Sequence, residues 1–436
     1  MAARRFAVLA DTAAAMSPDT RFLCARSTLM RASDALATST TTYAIPLLVL
    51  TTTGSTALTG VAFLLEWAPR LAAFTIGGPL VDRYRADRVF RASTTCRAVL
   101  LAAAALTLAL LPSSSTAATT AVMVVGAFSG LLAQASFVAV ETIGAEVSRA
   151  AGGQAHRVQS VQIGIDQGAL LVGPLLGGLL LLGGPSCLLV TIAVLSLAAA
   201  AATKAAPTAQ RTGPATVLTS LRIGWRTMRG IPALVWLVTG LIASNLAVAV
   251  AQASSPITVL HDFEGSSLAV GIVWSAAGVV SLAAVAASRR LVDHHGLWPV
   301  GAAAAATACV ACFAIALAPG LVTYAAAVGV MMAGEGALTV VLRTLRARLI
   351  PAEVFGSTLS VTIVLIVIPM PLAGALVAVL PPTGLPALLL TCSALQGIAM
   401  ALTFRGLRRH RASYSLTATR PVPELTAPVL DARNVA

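Results

Sequence analysis

A few ionisable side chains stand inside long stretches of sequence that are otherwise apolar, and they are the first candidates for chemistry. These residues are Asp34, Glu66, Arg70, Asp166 and Glu335. If the stretches cross a membrane, each such residue costs about 2.5–3.5 kcal/mol on insertion. A cost of that size indicates either pairing or function. A carboxyl group buried in apolar surroundings also binds a proton more readily than one in water, so these acids are candidates for a proton carrier.

The composition shows what surrounds these residues. The chain has 436 residues, of which 57% are hydrophobic and 10% are charged, and its mean hydropathy is +0.88. Ordinary soluble domains contain about 25% charged residues. The composition therefore excludes a soluble enzyme and predicts a polytopic membrane protein. The net charge of +13 suggests nucleic-acid binding in a soluble protein, so the positions of the basic residues must be examined.

Intervals without Asp, Glu, Lys or Arg define the predicted spans. A transmembrane helix needs about 20 apolar residues, and the longest intervals divide at Pro and Gly turn signals such as Pro319-Gly320. Twelve spans are predicted, near residues 26–50, 57–78, 93–111, 118–141, 159–182, 187–205, 233–254, 268–287, 299–318, 321–342, 358–380 and 386–404.

The basic residues predict the orientation. They favour the cytoplasmic side of short loops, and placing both termini in the cytoplasm leaves no Lys or Arg in the outer loops, whose clear charges are Asp262 and Glu264. In this arrangement Arg70 is the basic residue left in the membrane interior, while Arg31 and Arg97 count among the basic residues of the inner side. The charge excess is thus explained by topology, and no nucleic-acid partner is expected.

An internal repeat predicts two related halves. At a constant offset of 211 positions, Ser33-Asp34 meets Ser244-Asn245, Gly60 meets Gly271, and Asp82 meets Asp293. We therefore predict an all-α membrane protein with two pseudo-symmetric six-helix bundles and a site between them. The predicted parts are an N-terminal cytoplasmic segment (1–25), a first bundle (26–205), a cytoplasmic linker (206–232), a second bundle (233–405) and a flexible tail (406–436). Ile223-Gly224-Trp225 predicts a short amphipathic helix in the linker.

The loop after span 2 carries a recognisable motif. Gly78, Asp82 and Arg83 match the signature loop of the major facilitator superfamily, which the sequence resembles over nearly its whole length, whereas Arg85 replaces the second glycine of that signature. The copy in the second half contains Asp293 and keeps this glycine, as Gly296. The resemblance implies an inner gate, in which Asp82 accepts hydrogen bonds from a helix N-terminus and Arg83 holds Asp82. A solvated loop without a gating role is the alternative.

Span 5 resembles the antiporter signature of exporters in the same superfamily. The matching residues are Gly168, Gly173, Pro174, Gly177 and Gly178. Small residues let helices approach closely and proline kinks a helix, so we expect a tight contact between spans 5 and 8; ordinary glycine packing is the alternative. The residues from Thr53 to Arg83, with Glu66 and Pro69 between them, resemble the bacterial branch that includes enterobactin exporters and macrolide efflux pumps.

Candidate residues follow from these patterns. For proton coupling we predict Asp34 first and Asp166 second, and Glu335 either binds the proton or contacts a cationic substrate. Glu66 and Arg70 lie four residues apart and can pair, either for structure or for function. The predicted substrate-binding residues are Glu66, Arg70, Tyr43, Asn245, Gln252, Trp274 and Glu335. Glu141 and Glu146 occupy the positions of Arg343 and Arg348 in the second half, so salt bridges between the halves could close the inner mouth; alternatively, all four face headgroups or water.

The predicted function is export of a drug, siderophore or secondary metabolite by proton antiport, through alternating access. A lipid or lysolipid translocator and a non-transporting receptor on the same fold remain alternatives. We expect no enzymatic activity and no cofactor. No metal is expected either, because Cys309 and Cys312 lie in an apolar helix where packing is their simplest role. The expected partners are a small-molecule substrate, protons and the lipid bilayer. We expect a monomer in the bacterial plasma membrane.

Overall fold

The protein is built from α-helices joined by short turns. The computed structural model describes residues 18–111, 115–150, 155–203, 217–351 and 354–410, and within these ranges there are fourteen α-helices and no strand. A helix satisfies its own backbone hydrogen bonds, as the apolar core of a membrane requires. The helices are α1 Pro18–Thr53, α2 Thr56–Tyr84, α3 Ala86–Leu110, α4 Thr116–Ala150, α5 Ala155–Leu182, α6 Pro185–Ala202, α7 Val217–Gly230, α8 Pro232–Ile257, α9 Ser267–His295, α10 Leu297–Ala316, α11 Leu321–Leu349, α12 Phe355–Val367, α13 Pro369–Val379 and α14 Leu385–Arg409.

Most of these helices are long and apolar enough to cross a membrane. Ten such stretches lie in the described ranges, and they correspond to α3–α6, α8–α11, α12 joined with α13, and α14. The prediction of a multi-pass membrane protein is therefore confirmed. Helices α1 and α2 have 36 and 29 residues, but residues such as Asp34, Glu66 and Arg70 interrupt their apolar stretches. The count of twelve spans stays a prediction.

Turns at equivalent positions of the internal repeat have the same helix caps and one-residue links. Ser55 caps α2 by accepting a hydrogen bond from the Leu58 amide at 3.2 Å, and Ser266, 211 positions later, caps α9 by accepting one from the Ala269 amide at 3.2 Å. These caps stabilise the helix starts. A single residue links α2 to α3 and α9 to α10, namely Arg85 (φ +68°) and Gly296 (φ +86°), again 211 positions apart.

The helices pack in two groups. Helices α1–α6 form the N-terminal group and α8–α14 the C-terminal group, and the groups join chiefly through α5 against α9 and α2 against α13. The outer end of the molecule is defined here as the end with Ser55, Gly184 and Ser266, which the charge pattern predicts to be extracytoplasmic. The contacts between α2 and α13 lie towards this end, where an added Cβ on Gly60 or Gly374 would collide with the opposite backbone.

The second contact between the groups is similarly close. An added Cβ on Gly178 would lie 2.5 Å from the Ser267 carbonyl oxygen, and one on Gly271 would lie 2.5 Å from the Pro174 carbonyl oxygen. The Ser267 hydroxyl also donates to the Gly178 carbonyl at 3.1 Å. The predicted tight contact between spans 5 and 8 is thus confirmed. Gly173 packs instead against Ser39 of α1.

Helix α7 occupies part of the predicted linker and packs on the start of α12. An added Cβ on Gly224 would collide with the Ser357 backbone, so the glycine permits this close crossing. The predicted short helix around Gly224 is confirmed, whereas residues 204–216 and the termini 1–17 and 411–436 lie outside the described ranges. The boundaries of the predicted parts stay predictions.

Candidate functional site

A cavity of about 340 Å³ lies between the two groups. Most of its wall comes from α1, α2, α4 and α5, and the C-terminal group contributes Gln252 and Met370. The charged side chains of the wall are Arg31, Asp34, Arg70 and Asp166, and its aromatic side chains are Tyr43, Trp67 and Phe137. An apolar pocket with a few convergent polar groups is typical of a small-molecule site.

Asp34 is held by a guanidinium group. Its Oδ1 atom lies 2.5 Å from Nη2 of Arg97, and the Ser136 hydroxyl donates to Oδ2 at 3.1 Å. Arg97 is 1% exposed and donates to the hydroxyl oxygens of Thr38 at 2.9 Å and Ser196 at 3.0 Å. Helices α1, α3, α4 and α6 therefore meet in one charge-paired network.

The position of Arg97 corrects the sequence analysis, which counted it among the basic residues of the inner side and left only Arg70 inside the membrane. Arg97 stands eleven residues into α3, about 16 Å along the helix axis, and is fully buried against Asp34. Arg31 is also buried at 5% exposure. The signal was present for Arg97, because the predicted span 93–111 already contained it.

Arg31 joins α1, α4 and α5. Its Nε donates to Oδ1 of Asp166 at 2.9 Å, and its Nη2 bonds to both Asp166 and Glu141. In this conformation Glu141 therefore pairs within the N-terminal group. The predicted pair of Glu141 with Arg343 is not formed, and the Arg343 side chain is exposed. The Glu146 side chain lies outside the described part of the structure.

Glu66 and Arg70 form the pair that their spacing predicts. Oε1 of Glu66 lies 2.7 Å from Nη2 of Arg70, and the same Nη2 donates to the Thr42 hydroxyl at 2.8 Å. The Arg70 guanidinium also stacks over the Trp67 ring at 4.5 Å from its centroid, a favourable cation–π contact. Glu66 is 0% exposed, whereas Arg70 borders the cavity, so the arginine is the member of the pair that can meet a substrate.

Glu335 has different partners in the C-terminal group. The Ser244 hydroxyl donates to its Oε1 at 2.5 Å, and Nε2 of Gln396 lies 3.4 Å from the same oxygen. Nε2 of Gln396 also donates to the Ser244 hydroxyl oxygen at 2.8 Å. Helices α8, α11 and α14 thus share a polar cluster made of one acid and two neutral side chains. Sequence reasoning named Glu335 but missed Gln396, because an isolated glutamine in a span carries no spacing signal.

The remaining predicted substrate-binding residues differ in their surroundings. Tyr43 and Gln252 line the cavity. Asn245 instead donates to the Ile366 carbonyl at 2.8 Å, beside the junction of α12 and α13. Trp274 is buried, donates to the Ser255 hydroxyl at 2.9 Å and packs against Tyr43 with ring centroids 5.7 Å apart. These contacts give Asn245 and Trp274 a structural role, and their part in binding stays a prediction.

The predicted gate is only partly described. Gly78, Asp82 and Arg83 belong to α2, but their side chains lie outside the described part of the structure. Asp293 is exposed near the end of α9, and Arg348 lies in the last turn of α11. The gating roles of these residues stay predictions.

The architecture is that of a membrane transporter: two groups of long apolar helices, related by an internal repeat, enclose a cavity between them. The chain belongs to the Major Facilitator Superfamily, whose family model matches residues 28–374. Among curated protein sequences, none matches this chain.

Solved structures of transporters share the fold. A bacterial homologue of the iron transporter ferroportin in an inward-facing state superimposes with a TM-score of 0.73 at 14% identity, covering 90% of this chain and 99% of that chain. An outward-facing structure of a bacterial ferroportin homologue gives 0.60 at 14% identity, covering 89% and 100%. A nucleoside transporter gives 0.65 at 12% identity, covering 90% and 100%. At these identities the likeness shows the fold alone.

Proposed function

We propose that this protein is a secondary active transporter that exports a small amphipathic molecule, with protons moving in the opposite direction. The cavity of about 340 Å³ between the two helix groups carries this proposal. Its aromatic and aliphatic walls suit an apolar body, and Arg31, Asp34, Arg70 and Asp166 offer polar anchors on one side. The contents of the wall therefore favour a drug, siderophore or secondary metabolite over a sugar.

The conformation fits one half of an alternating-access cycle. The close contacts of α2 with α13, and those of α5 with α9 around Gly178, lie towards the outer end, and the charged side of the cavity lies nearer the inner end. We place both termini in the cytoplasm of a bacterial cell, which makes this an inward-facing state.

The proposal is tested in everted membrane vesicles that contain the protein. Export appears there as accumulation of a fluorescent amphiphile such as Hoechst 33342, driven by an acidic vesicle lumen. Ala169→Trp fills the cavity and should abolish accumulation, because Ala169 lines it at 7% exposure. Ala283→Trp, at an exposed position of α9, is the matched control and should accumulate the probe like the unmodified protein.

Two results would redirect the assignment. Equal accumulation with and without the protein, across cationic, neutral and anionic amphiphiles, would overturn the proposed export. Movement of a fluorescent lysophospholipid between leaflets, measured by dithionite quenching and blocked by Ala169→Trp, would identify a lipid translocator instead.

A further inference from the structure

Glu335 lies in the middle of α11 and belongs to a chain of three side chains from three helices. Gln396 Nε2 donates to Ser244 Oγ at 2.8 Å, and Ser244 Oγ donates to Glu335 Oε1 at 2.5 Å. Ser244 and Gln396 are each 0% exposed, whereas Glu335 is partly exposed. Glu335 is therefore the least enclosed residue of the three. These three residues are called the Glu335 relay below.

No basic side chain pairs with Glu335 among the described residues. Helices α8 and α10 contain no Asp, Glu, Lys or Arg at all, and the nearest Arg on α11 is Arg343, eight residues away, or about 12 Å along the helix. The Cys312 thiol on α10 lies near Glu335, and the thiols of Cys309 on α10 and Cys392 on α14 lie near Cys312. Among the described residues, the charge of an ionised Glu335 is thus balanced only by neutral dipoles.

The carboxylates of the N-terminal group are in the opposite situation. Asp34 lies 2.5 Å from Arg97, and Asp166 lies 2.5 Å from Arg31. A guanidinium group stays protonated and stabilises the carboxylate form of its partner. Binding a proton at Asp34 would therefore leave the buried Arg97 without its counter-ion, which is strongly unfavourable. Binding one at Asp166 would separate an ion pair of Arg31, which would then keep Glu141 as its partner.

The Glu335 relay can satisfy its hydrogen bonds in both protonation states. With Glu335 ionised, the donors run from Gln396 through Ser244 to the carboxylate, as observed. With a proton bound to form a new O–H bond on Glu335, that O–H donates to Ser244 Oγ. Ser244 then turns its own O–H towards Gln396 Oε1, which an amide rotation brings into place. In the observed arrangement this Oε1 is buried and has no partner, so it is the free acceptor that the reversed chain requires.

We propose that the Glu335 relay is the proton-binding site of the transporter, and that protonation of Glu335 reverses the direction of its hydrogen bonds. This inference rests on the proposed function, since it names the site through which the antiported proton passes. It replaces Asp34 with Glu335 as the first candidate, because the neighbours of Glu335 tolerate both the ionised and the neutral form. The relay connects α8, α11 and α14 by hydrogen bonds, so protonation of Glu335 changes the hydrogen bonds between these three helices.

The first test separates proton coupling from substrate binding. In everted vesicles, Glu335→Gln is expected to lose accumulation of Hoechst 33342 driven by the pH gradient, while exchange of the probe without a gradient remains. The amide matches the shape of a protonated carboxyl group, so retained exchange also shows that the variant folds. Glu264→Gln, an exposed acid of the outer loop, is the matched control and should keep both activities.

The second test detects the proton itself. Infrared difference spectra of the purified protein between acid and alkaline pH contain the carbonyl stretches of all titrating carboxyl groups. Subtraction of the Glu335→Gln spectrum should leave the band of protonated Glu335. Ser244→Ala should retain the band but change the pH at which it appears, because the relay partner is lost.

The outcomes distinguish the inference from the proposed function. If the unmodified protein accumulates no probe in response to a pH gradient, the proposed function fails. If it does so and Glu335→Gln accumulates the probe equally well, only the relay fails. Loss of the infrared band in Asp34→Asn instead of Glu335→Gln would likewise assign the proton to Asp34 and overturn the inference.

Discussion

The two helix groups treat their buried acids in different ways. In the N-terminal group, Asp34, Glu66 and Asp166 each lie beside an arginine at 2.5–2.7 Å. In the C-terminal group, the described hydrogen-bond partners of Glu335 are a serine and a glutamine. At the repeat position of Asp34 the C-terminal group has Asn245, a neutral side chain that bonds to a backbone carbonyl. Among these buried acids, Glu335 is therefore the one whose charge can change without separating an ion pair.

This difference suggests that the two helix groups have different roles. Ion pairs fix α1 to α3, α4 and α5, which gives the N-terminal group a rigid, charged cavity wall. The relay in the C-terminal group can satisfy its hydrogen bonds with Glu335 either ionised or protonated. Four predictions, from the largest expected effect to the smallest, test whether the contrast holds.

Removing the cation of the most buried pair should have the largest effect. Arg97→Met leaves Asp34 charged and unpaired inside the protein, which costs about 3–5 kcal/mol of stability. We expect little folded protein, measured as the monodisperse fraction after heating in detergent. Asp34→Asn combined with Arg97→Met should recover much of the loss. Glu335→Gln should change stability far less, since it strands no ion. Equal damage from Arg97→Met and Glu335→Gln would contradict the contrast between the groups.

The contact between the groups should be the next most sensitive feature. Gly178→Ala puts a Cβ 2.5 Å from the Ser267 carbonyl oxygen, and overpacking of this kind costs about 1–3 kcal/mol. The cost applies to the state closed at the outer end, so the population should shift towards an open one. Spin labels at Thr51→Cys and Asp262→Cys, in a background without native cysteines, should report a longer distance.

Gly168→Ala supplies the control for that experiment. Gly168 lies on the same helix, and nothing stands within 4 Å of an added Cβ there. An equal lengthening in both variants would show that the effect does not come from the contact.

The Arg31 cluster should respond more weakly than Arg97. The side chains of Glu141 and Asp166 are 49% and 35% exposed, so water can solvate them after Arg31→Gln, and we expect a loss of about 1 kcal/mol. The measurement is the difference in thermal stability in detergent between Arg31→Gln and the unmodified protein. A loss as large as that of Arg97→Met would show that the exposure of Glu141 and Asp166 does not weaken this cluster.

The smallest expected effect is the gain from Arg85→Gly, which belongs to a comparison of two equivalent turns with effects of opposite sign. Arg85 holds a left-handed φ of +68°, and Gly296 holds +86° at the matching position. A left-handed conformation costs a residue with a Cβ about 1–2 kcal/mol, so Gly296→Ala should destabilise the protein. Arg85→Gly relieves that strain but loses the contact of Arg85 with Asp87 at 3.1 Å.

The net gain from Arg85→Gly should be below about 1 kcal/mol, which corresponds to a rise of roughly 1–2 °C in the melting temperature. The measurement is thermal unfolding in detergent for both variants side by side. Destabilisation by both substitutions would show that the Arg85 side chain contributes more than its backbone costs.

Much of the fold was predictable from residues that act locally. Charge-free intervals predicted the helices, and the 211-residue offset of the repeat relates the turns at Ser55 and Ser266. The spacing of Glu66 and Arg70 predicted their pair, because residues four apart meet on one helix face. Gly178 and its neighbours predicted a close crossing for a similar local reason, since only a small residue permits it.

The partners of the other buried charges were not predictable in this way. Arg97 is 63 residues from Asp34, and Arg31 is 110 residues from Glu141 and 135 from Asp166. Positive charge near a helix end fits both an inner loop and a buried pair. Arg97 was predicted to belong to the inner side, and Glu141 was predicted to pair with Arg343 and not with Arg31.

The sequence by itself determined that this is a multi-pass membrane protein of the Major Facilitator Superfamily, because hydropathy, charge positions and the repeat are properties of short segments. Tertiary structure alone decided which acids are neutralised and which is not. Asp34 and Glu335 look alike in a list of buried carboxylates, and both stand in apolar helices. The physical difference is the neighbour that packing supplies: a guanidinium group fixes the charge of Asp34, whereas the hydroxyl and amide groups beside Glu335 leave its charge free to change.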